Sequence, residues 1–262
     1  MKHLTVHNGS LPLAVTDHGG DGPDLLLLHG LGGSRAHWAA LLPELTGFRV
    51  VSMDLRGHGE SGVAPWSWTA ACEDVRAVVA ALGLANPAVV GMSLGGMVAT
   101  HWAARPGCPG AVNLDGLRGF LTAPENYPGM DPEFRDAEIV RLRELFDGYA
   151  ASVTGPLAEI LPEVRAALDE DYAAAAAAVR SPLLVVAATT NLPGQDEFPE
   201  LADAYRAGLR RDLAVLADQP LVRVAEFAGD HAMAAHQPAE VAGLVREFLS
   251  SGSGGRVPDP AR

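Results

Sequence analysis

Residues 88–98 read A-V-V-G-M-S-L-G-G-M-V. A short aliphatic run leads into Gly91-Met92-Ser93-Leu94-Gly95, and helix-compatible residues follow. The run suits a strand buried on both faces. A G-x-S-x-G turn between such a strand and a helix is the arrangement of a nucleophile elbow, a context that a chance glycine-rich turn lacks. The turn forces Ser93 into a strained backbone conformation, and small residues at 91 and 95 let strand and helix pass closely enough to permit it. The hydroxyl is thereby pushed out above the sheet. The N-terminus of the helix that begins near Leu94 adds partial positive charge where an oxyanion would form.

Outward from this turn, apolar strands and helical segments alternate along the whole chain. Strands are predicted at 4–7, 11–18, 24–29, 49–54, 88–91, 111–115, 183–188 and 222–227, and helices at 36–45, 67–83, 94–105, 198–218 and 238–250. From the third strand onward the runs are nearly all aliphatic, as in a parallel sheet covered on both faces; the first two alternate more and suit an antiparallel edge. The reading is an α/β fold with a mostly parallel eight-stranded sheet and helices on both faces. Residues 117–181 break the rhythm. Asp131-Pro132 is an N-cap followed by proline at the first helical position, and Phe134, Glu138, Leu142, Leu145, Phe146 and Tyr149 follow at helical spacing. An alanine-rich second helix is predicted from about Glu163 to Val179. The expected organisation is therefore a core in two parts, 1–116 and 182–251, a helical cap at 117–181 inserted after the sixth strand, and a disordered tail at 252–262.

Composition narrows the function. The chain has 262 residues, 48% of them hydrophobic, and a formal net charge of −13, which leaves no basic stripe for a phosphate backbone and argues against nucleic-acid binding. No apolar run is long enough to span a bilayer, and the opening M-K-H-L-T-V-H-N-G-S lacks the apolar centre of a signal peptide, so no membrane association and a cytoplasmic location are expected. Cys72 and Cys108 have no C-x-x-C spacing, so neither metal nor redox chemistry is indicated. The sole lysine, Lys2, stands at the terminus, a poor place for Schiff-base chemistry.

Two further stretches make a constellation with Ser93. His29-Gly30-Leu31-Gly32-Gly33-Ser34 follows the third strand, where the Leu31 N–H could join that of Leu94 in an oxyanion hole. F-A-G-D-H-A-M-A-A-H-Q-P ends the eighth strand and puts His231 in the loop beyond it. With D-L-R-G-H-G-E-S at 54–61, these motifs resemble the α/β-hydrolase superfamily in their order, over about residues 10–250. The resemblance implies Ser93 as nucleophile, His231 as general base, and no cofactor or metal. It also implies that His29 and His58 shape loops, and that Asp54 and Arg56 make buried polar contacts without doing chemistry. Asp74, within a predicted helix, is read as structural. Trp66 and Trp68 are candidates for the pocket mouth or for plain packing, and Phe146 and Tyr149 for the apolar pocket under the cap.

The acid is the open question. The superfamily usually takes it from the loop after the seventh strand, which here lies in S-P-L-L-V-V-A-A-T-T-N-L-P-G, residues 181–194, and holds no carboxylate. Asn191 could hold the imidazole but could not stabilise the imidazolium with a full charge. Asp196 and Glu197 lie beyond Pro193-Gly194 and would have to reach back. Asp115 ends the sixth strand, A-V-N-L-D, which in a doubly wound sheet should neighbour the nucleophile strand. Asp115 is the favoured acid, with Asp196, Glu197, Asn191 or no acid at all as alternatives. The function expected is a serine hydrolase with a lidded pocket, cleaving an ester, thioester or lactone of a small, mainly apolar substrate through an acyl-enzyme. The partner is a small molecule, or an acyl-carrier protein if the substrate is a carrier-bound thioester. A serine at the elbow argues against haloalkane dehalogenase or epoxide hydrolase chemistry, for which the relatives use aspartate. A carbon–carbon bond hydrolase, or a ligand receptor that retains the pocket, are the alternatives.

Overall fold

The computed structural model describes residues 1–117, 122–168, 170, 172–190 and 196–251. Eight strands form one sheet: β1 Lys2–Asn8, β2 Leu11–Gly19, β3 Asp24–Leu28, β4 Arg49–Met53, β5 Ala88–Met92, β6 Ala111–Leu114, β7 Leu183–Ala188 and β8 Val222–Phe227. Their order is β1-β2-β4-β3-β5-β6-β7-β8. β2 pairs antiparallel with β1 and β4, and every other pairing is parallel. The aliphatic runs have a direct cause in this sheet. Leu26 and Leu28 enter one core cluster while Leu25 and Leu27 enter another on the opposite face, and Val89 and Val90, or Val185 and Val186, divide the same way. Strands with two buried faces cannot alternate in polarity.

Five helices follow α1 Trp68–Leu82 and α2 Leu94–Ala103 before the last: α3 Pro132–Ser152, α4 Pro156–Leu168, α5 Tyr172–Ala177, α6 Pro199–Ala217 and α7 Met233–His236, with α8 Pro238–Ser251 ending the described chain. The helix predicted at 36–45 is instead two short 3₁₀ turns, Arg35–Trp38 and Leu42–Glu44. Pro43 explains the break, since it has no N–H for a helical bond and its ring crowds the carbonyl one turn back.

Between β6 and β7 stand α3, α4 and α5. Asp131 caps α3 by accepting the N–H groups of Glu133 at 3.1 Å and Phe134 at 3.0 Å. The single helix predicted from Glu163 to Val179 is in fact two, and the first begins before Pro162, which lies inside α4. Burial of Ile160, Leu161, Val164 and Ala167 explains the tolerance. Each large aliphatic side chain contributes about 1.5–3 kcal/mol on burial, together more than the roughly 3 kcal/mol proline penalty. Ile160, Val164, Tyr172 and Ala176 belong to the main core cluster, and Ile139 and Leu142 pack with Phe198 and Leu201 of the α6 region. The insertion is therefore sewn to the sheet domain through its apolar faces. The tail reading for 252–262 lies outside the described residues. No helix among those described is long and apolar enough to cross a membrane.

This topology brings the motifs together. β5 lies between β3 and β6, so the segments that follow β3, β5 and β6 emerge side by side at the carboxyl edge of the sheet, where the strand order reverses and open α/β sheets hold their sites.

Candidate active site

Ser93 has φ 53° and ψ −119°, a region that costs a residue with a Cβ about 1–3 kcal/mol. Its N–H donates to Leu114 O at 2.8 Å, and its carbonyl accepts the Met97 N–H at 3.0 Å, so one residue ends β5 and opens α2. Close packing enforces the turn. A Cβ on Gly91 would stand 1.9 Å from the Gly95 carbonyl oxygen, and one on Gly95 would stand 2.2 Å from the carbonyl oxygen of Leu28. Only glycine fits at either position.

The segment after β3 lies against this turn, with the Cβ position of Gly30 at 3.1 Å from Ser93 Cβ. Gly33 N–H bonds back to Gly30 O at 3.0 Å, closing a tight turn around Leu31 and Gly32. His29 pins its base: the Leu55 N–H donates to Nε2 at 3.0 Å, so the ring proton sits on Nδ1 and is donated to Gly30 O at 2.8 Å. Burial lowers the His29 pKa to about 3, which keeps the ring neutral and suits a structural role. Leu31 is partly exposed and Leu94 buried, on the two segments that flank the serine.

Asp115 also has positive φ, 56°. Its N–H continues the ladder to Val186 O at 2.8 Å, and its carboxylate is held at both oxygens. Oδ1 accepts the Ala188 N–H at 2.9 Å, and Oδ2 accepts the Nδ1–H of His231 at 2.7 Å. That bond is the main cause of a His231 pKa raised above its ordinary value; burial opposes it, and Asp230 adds a smaller push upward. An imidazole whose Nδ1–H is held by a carboxylate presents Nε2 as a base. Asp230, the neighbouring carboxylate, accepts instead from Ala232 N and from the ring of His236.

The other candidates are placed elsewhere. Asp196 and Glu197 are exposed in the turn before α6, and Asn191 lies outside the described residues. Trp66 is 6% exposed and packs edge-on to Trp68 with ring centroids 6.1 Å apart. Trp68 stacks on His101 and, with Met97, Glu170 and Tyr172, lines a cavity of about 180 Å³. Phe146 is half-buried against the Ile139–Leu142 cluster, whereas Tyr149 is 52% exposed and its hydroxyl lies 3.3 Å from the Cβ position of Gly32. The insertion thus reaches the segment after β3. Arg56 and Asp74 form a buried two-pronged pair at 2.7 and 2.8 Å, and Asp54 accepts the backbone N–H groups of Arg35 and Glu60, all contacts that tie loops together. One residue had no place in the sequence-based site: Asn113, wholly buried in β6, whose side chain bonds the residue after Asp115. A lone amide within an otherwise aliphatic strand was its only signal.

Residues 23–189 match the family model described as the alpha/beta hydrolase fold. The chain is 38% identical over 125 residues to protein phosphatase methylesterase 1 of Mus musculus, which covers 44% of this chain and 32% of that protein. It is 39% identical over 137 residues to the pimeloyl-(acyl-carrier protein) methyl ester esterase of Methylococcus capsulatus, covering 50% of this chain and 48% of that protein. The matched stretches thus span 32% and 48% of those relatives' length. Among solved structures, the enol-lactonase from Burkholderia xenovorans LB400 superposes with a TM-score of 0.67 at 21% identity, over 95% of this chain and all of that one, a likeness of fold.

Proposed function

Because this chain belongs to the alpha/beta hydrolase fold family, we propose that it is a serine hydrolase that cleaves small esters through an acyl-enzyme, with Ser93, His231 and Asp115 as the triad. The observation that carries this reading is the 2.7 Å bond between His231 and Asp115 in a sheet whose neighbouring strand ends in the strained Ser93 turn. In the proposed reaction His231 Nε2 takes the Ser93 proton as the hydroxyl attacks the ester carbonyl. The N–H groups of Leu31 and Leu94 then hold the oxyanion, supported by the N-terminus of α2. His231 returns the proton to the leaving alcohol, and water repeats the sequence on the acyl-enzyme.

Both curated relatives described above are named as methyl esterases, which favours an ester with a small alcohol over other members of the acyl-transfer class. A carrier-bound acyl substrate is the second reading, favoured by the name of the bacterial relative. Comparison of one acyl group as a free methyl ester and as a carrier-bound thioester separates the two. A small activated ester tests the class: an initial burst followed by steady turnover is expected. One stoichiometric release with no steady state would identify a receptor that retains the pocket.

In this proposal α3, α4 and α5 form the cap, and Tyr149 and Phe146 belong to its substrate-facing part. Tyr149 reaches the loop after β3, while Phe146 is engaged in packing α3. Tyr149→Ala is therefore expected to change the kcat/KM ratio between short and long acyl esters by about tenfold, the scale of a lost apolar contact. Phe146→Ala should mainly lower stability. An unchanged acyl preference in Tyr149→Ala would place the acyl pocket away from α3.

A further inference from the structure

Among the described residues the Asp115 side chain is held by the Ala188 N–H at the end of β7 and by His231, and Asp115 is a non-glycine residue at positive φ. A second set of bonds fixes the residue that follows. The Asn113 side chain brackets the next residue: Oδ1 accepts the Gly116 N–H at 2.7 Å, and Nδ2 donates to the Gly116 carbonyl at 2.8 Å. Nδ2 also lies 2.8 Å from the Tyr172 hydroxyl, which lies 3.1 Å from Thr100 Oγ1. Thr100 in turn bonds the Gly96 carbonyl at 3.1 Å.

Hydrogen counting gives this cluster one consistent polarity. Thr100 spends its proton on Gly96 O, so Tyr172 donates to Thr100, and the two Nδ2 hydrogens of Asn113 serve the Gly116 carbonyl and the paired hydroxyls of Tyr172 and Thr100, which lie 2.8 and 3.0 Å away. Every donor has an acceptor. The residues come from three elements: Asn113 from β6, Thr100 from the helix that Ser93 opens, and Tyr172 from the insertion. Gly116 completes the connection, since a Cβ there would stand 2.2 Å from the Ser93 carbonyl oxygen.

We infer that Tyr172 and Asn113 are positioning residues for the acid: through the Asn113–Gly116 bracket, insertion helix α5 sets the geometry with which Asp115 meets His231. The inference rests on the triad proposed above. Tyr172 is suited to the task because burial raises its pKa to about 12, so it stays a protonated donor across the working range. Within such a buried network the low local dielectric strengthens each bond and the bonds polarise one another, so loss of one member is transmitted to the others.

The decisive variant is Tyr172→Phe, which keeps the ring and removes only the hydroxyl. Two readouts are needed, kcat and the titration of the His231 ring followed by NMR, because a purely structural role would move neither. Asp115 and Asp230 are the charged groups that act on His231, and the Asp115 bond dominates its upward shift. Tyr172→Phe is expected to lower kcat about tenfold with KM little changed, and to move the His231 midpoint down towards its ordinary value of about 6.5. Thr100→Val, which removes the acceptor of the tyrosine proton without touching the ring, should move both in the same direction and serves if Tyr172→Phe folds poorly. Ser181→Ala, which deletes a buried hydrogen bond to Cys108 N at the far end of β7, should lower the Tm alone. Folded Tyr172→Phe and Thr100→Val proteins with an unmoved His231 titration and normal kcat would overturn the inference. Failure of the underlying triad has a different signature: Asp115→Asn would then turn over normally although the His231 titration moves.

Discussion

Ser93→Ala is expected to abolish labelling by a fluorophosphonate and to lower ester turnover by at least about 10³-fold, towards the roughly 10⁶-fold seen when such a nucleophile is removed outright. The residue contributes its hydroxyl to chemistry and its Cβ to strain, and the two can be separated. Alanine at φ 53° carries the same Cβ as serine and should leave the Tm close to that of the wild type. Glycine, which has no Cβ to strain, should also abolish labelling but raise stability by up to about 1–3 kcal/mol, the range for a non-glycine residue held in such a region. Three proteins thus give one activity difference and one stability difference that vary independently. Residual turnover above a tenth of wild type in either variant would remove Ser93 from the reaction. A glycine variant no more stable than alanine would mean that the elbow holds no strain.

What could be read before the fold was known follows from where the information resides. The sheet was legible because β3 to β7 have two buried faces, and a strand so placed has few residue types open to it. The elbow was legible because its glycines are demanded by backbone contacts within a few residues, Gly91 against Gly95 and Gly95 against Leu28. Pro43 and Pro162 have opposite lessons. The first stands in a segment that forms two short 3₁₀ turns although Trp38, Leu41 and Leu45 are buried, and the second is carried through a helix whose buried face outweighs it. Local sequence does not reveal which case applies, because the burial comes from the rest of the chain. The position of Asp115 beside the nucleophile strand followed from topology, and the β5–β6 register, Gly91 with Asn113 and Met92 with Leu114, is its structural form. The Tyr172–Asn113 bond joins residues 59 positions apart, one in β6 and the other in the insertion. No motif marks it.

The acid itself offers a sharper test than simple loss of charge. Asp115→Asn is expected to lower kcat by about 10⁴-fold, the scale of a neutralised triad aspartate, and the bonds around Asp115 show why. One carboxylate oxygen is already committed to the Ala188 N–H, so an asparagine will keep its carbonyl oxygen there and turn its NH₂ towards His231. A donor facing Nδ1 drives the ring proton to Nε2, and the atom that should take the serine proton then has none of its basicity left. Asp115→Ala leaves His231 free to adopt either tautomer and should therefore keep more turnover than Asp115→Asn. The stability order should be the reverse, because alanine strands the Ala188 N–H at a cost of about 1–3 kcal/mol, whereas asparagine still accepts it. The acid limb of the kcat/KM profile adds a third reading. In the wild type it falls as pH drops through the raised His231 pKa, and without the Asp115 bond it should move to lower pH. Asp196→Asn, in an exposed turn, should leave all three measurements unchanged. If Asp115→Asn turns over normally and Asp196→Asn collapses, the acid belongs to the segment after β7, and the 2.7 Å bond seen between Asp115 and His231 is structural.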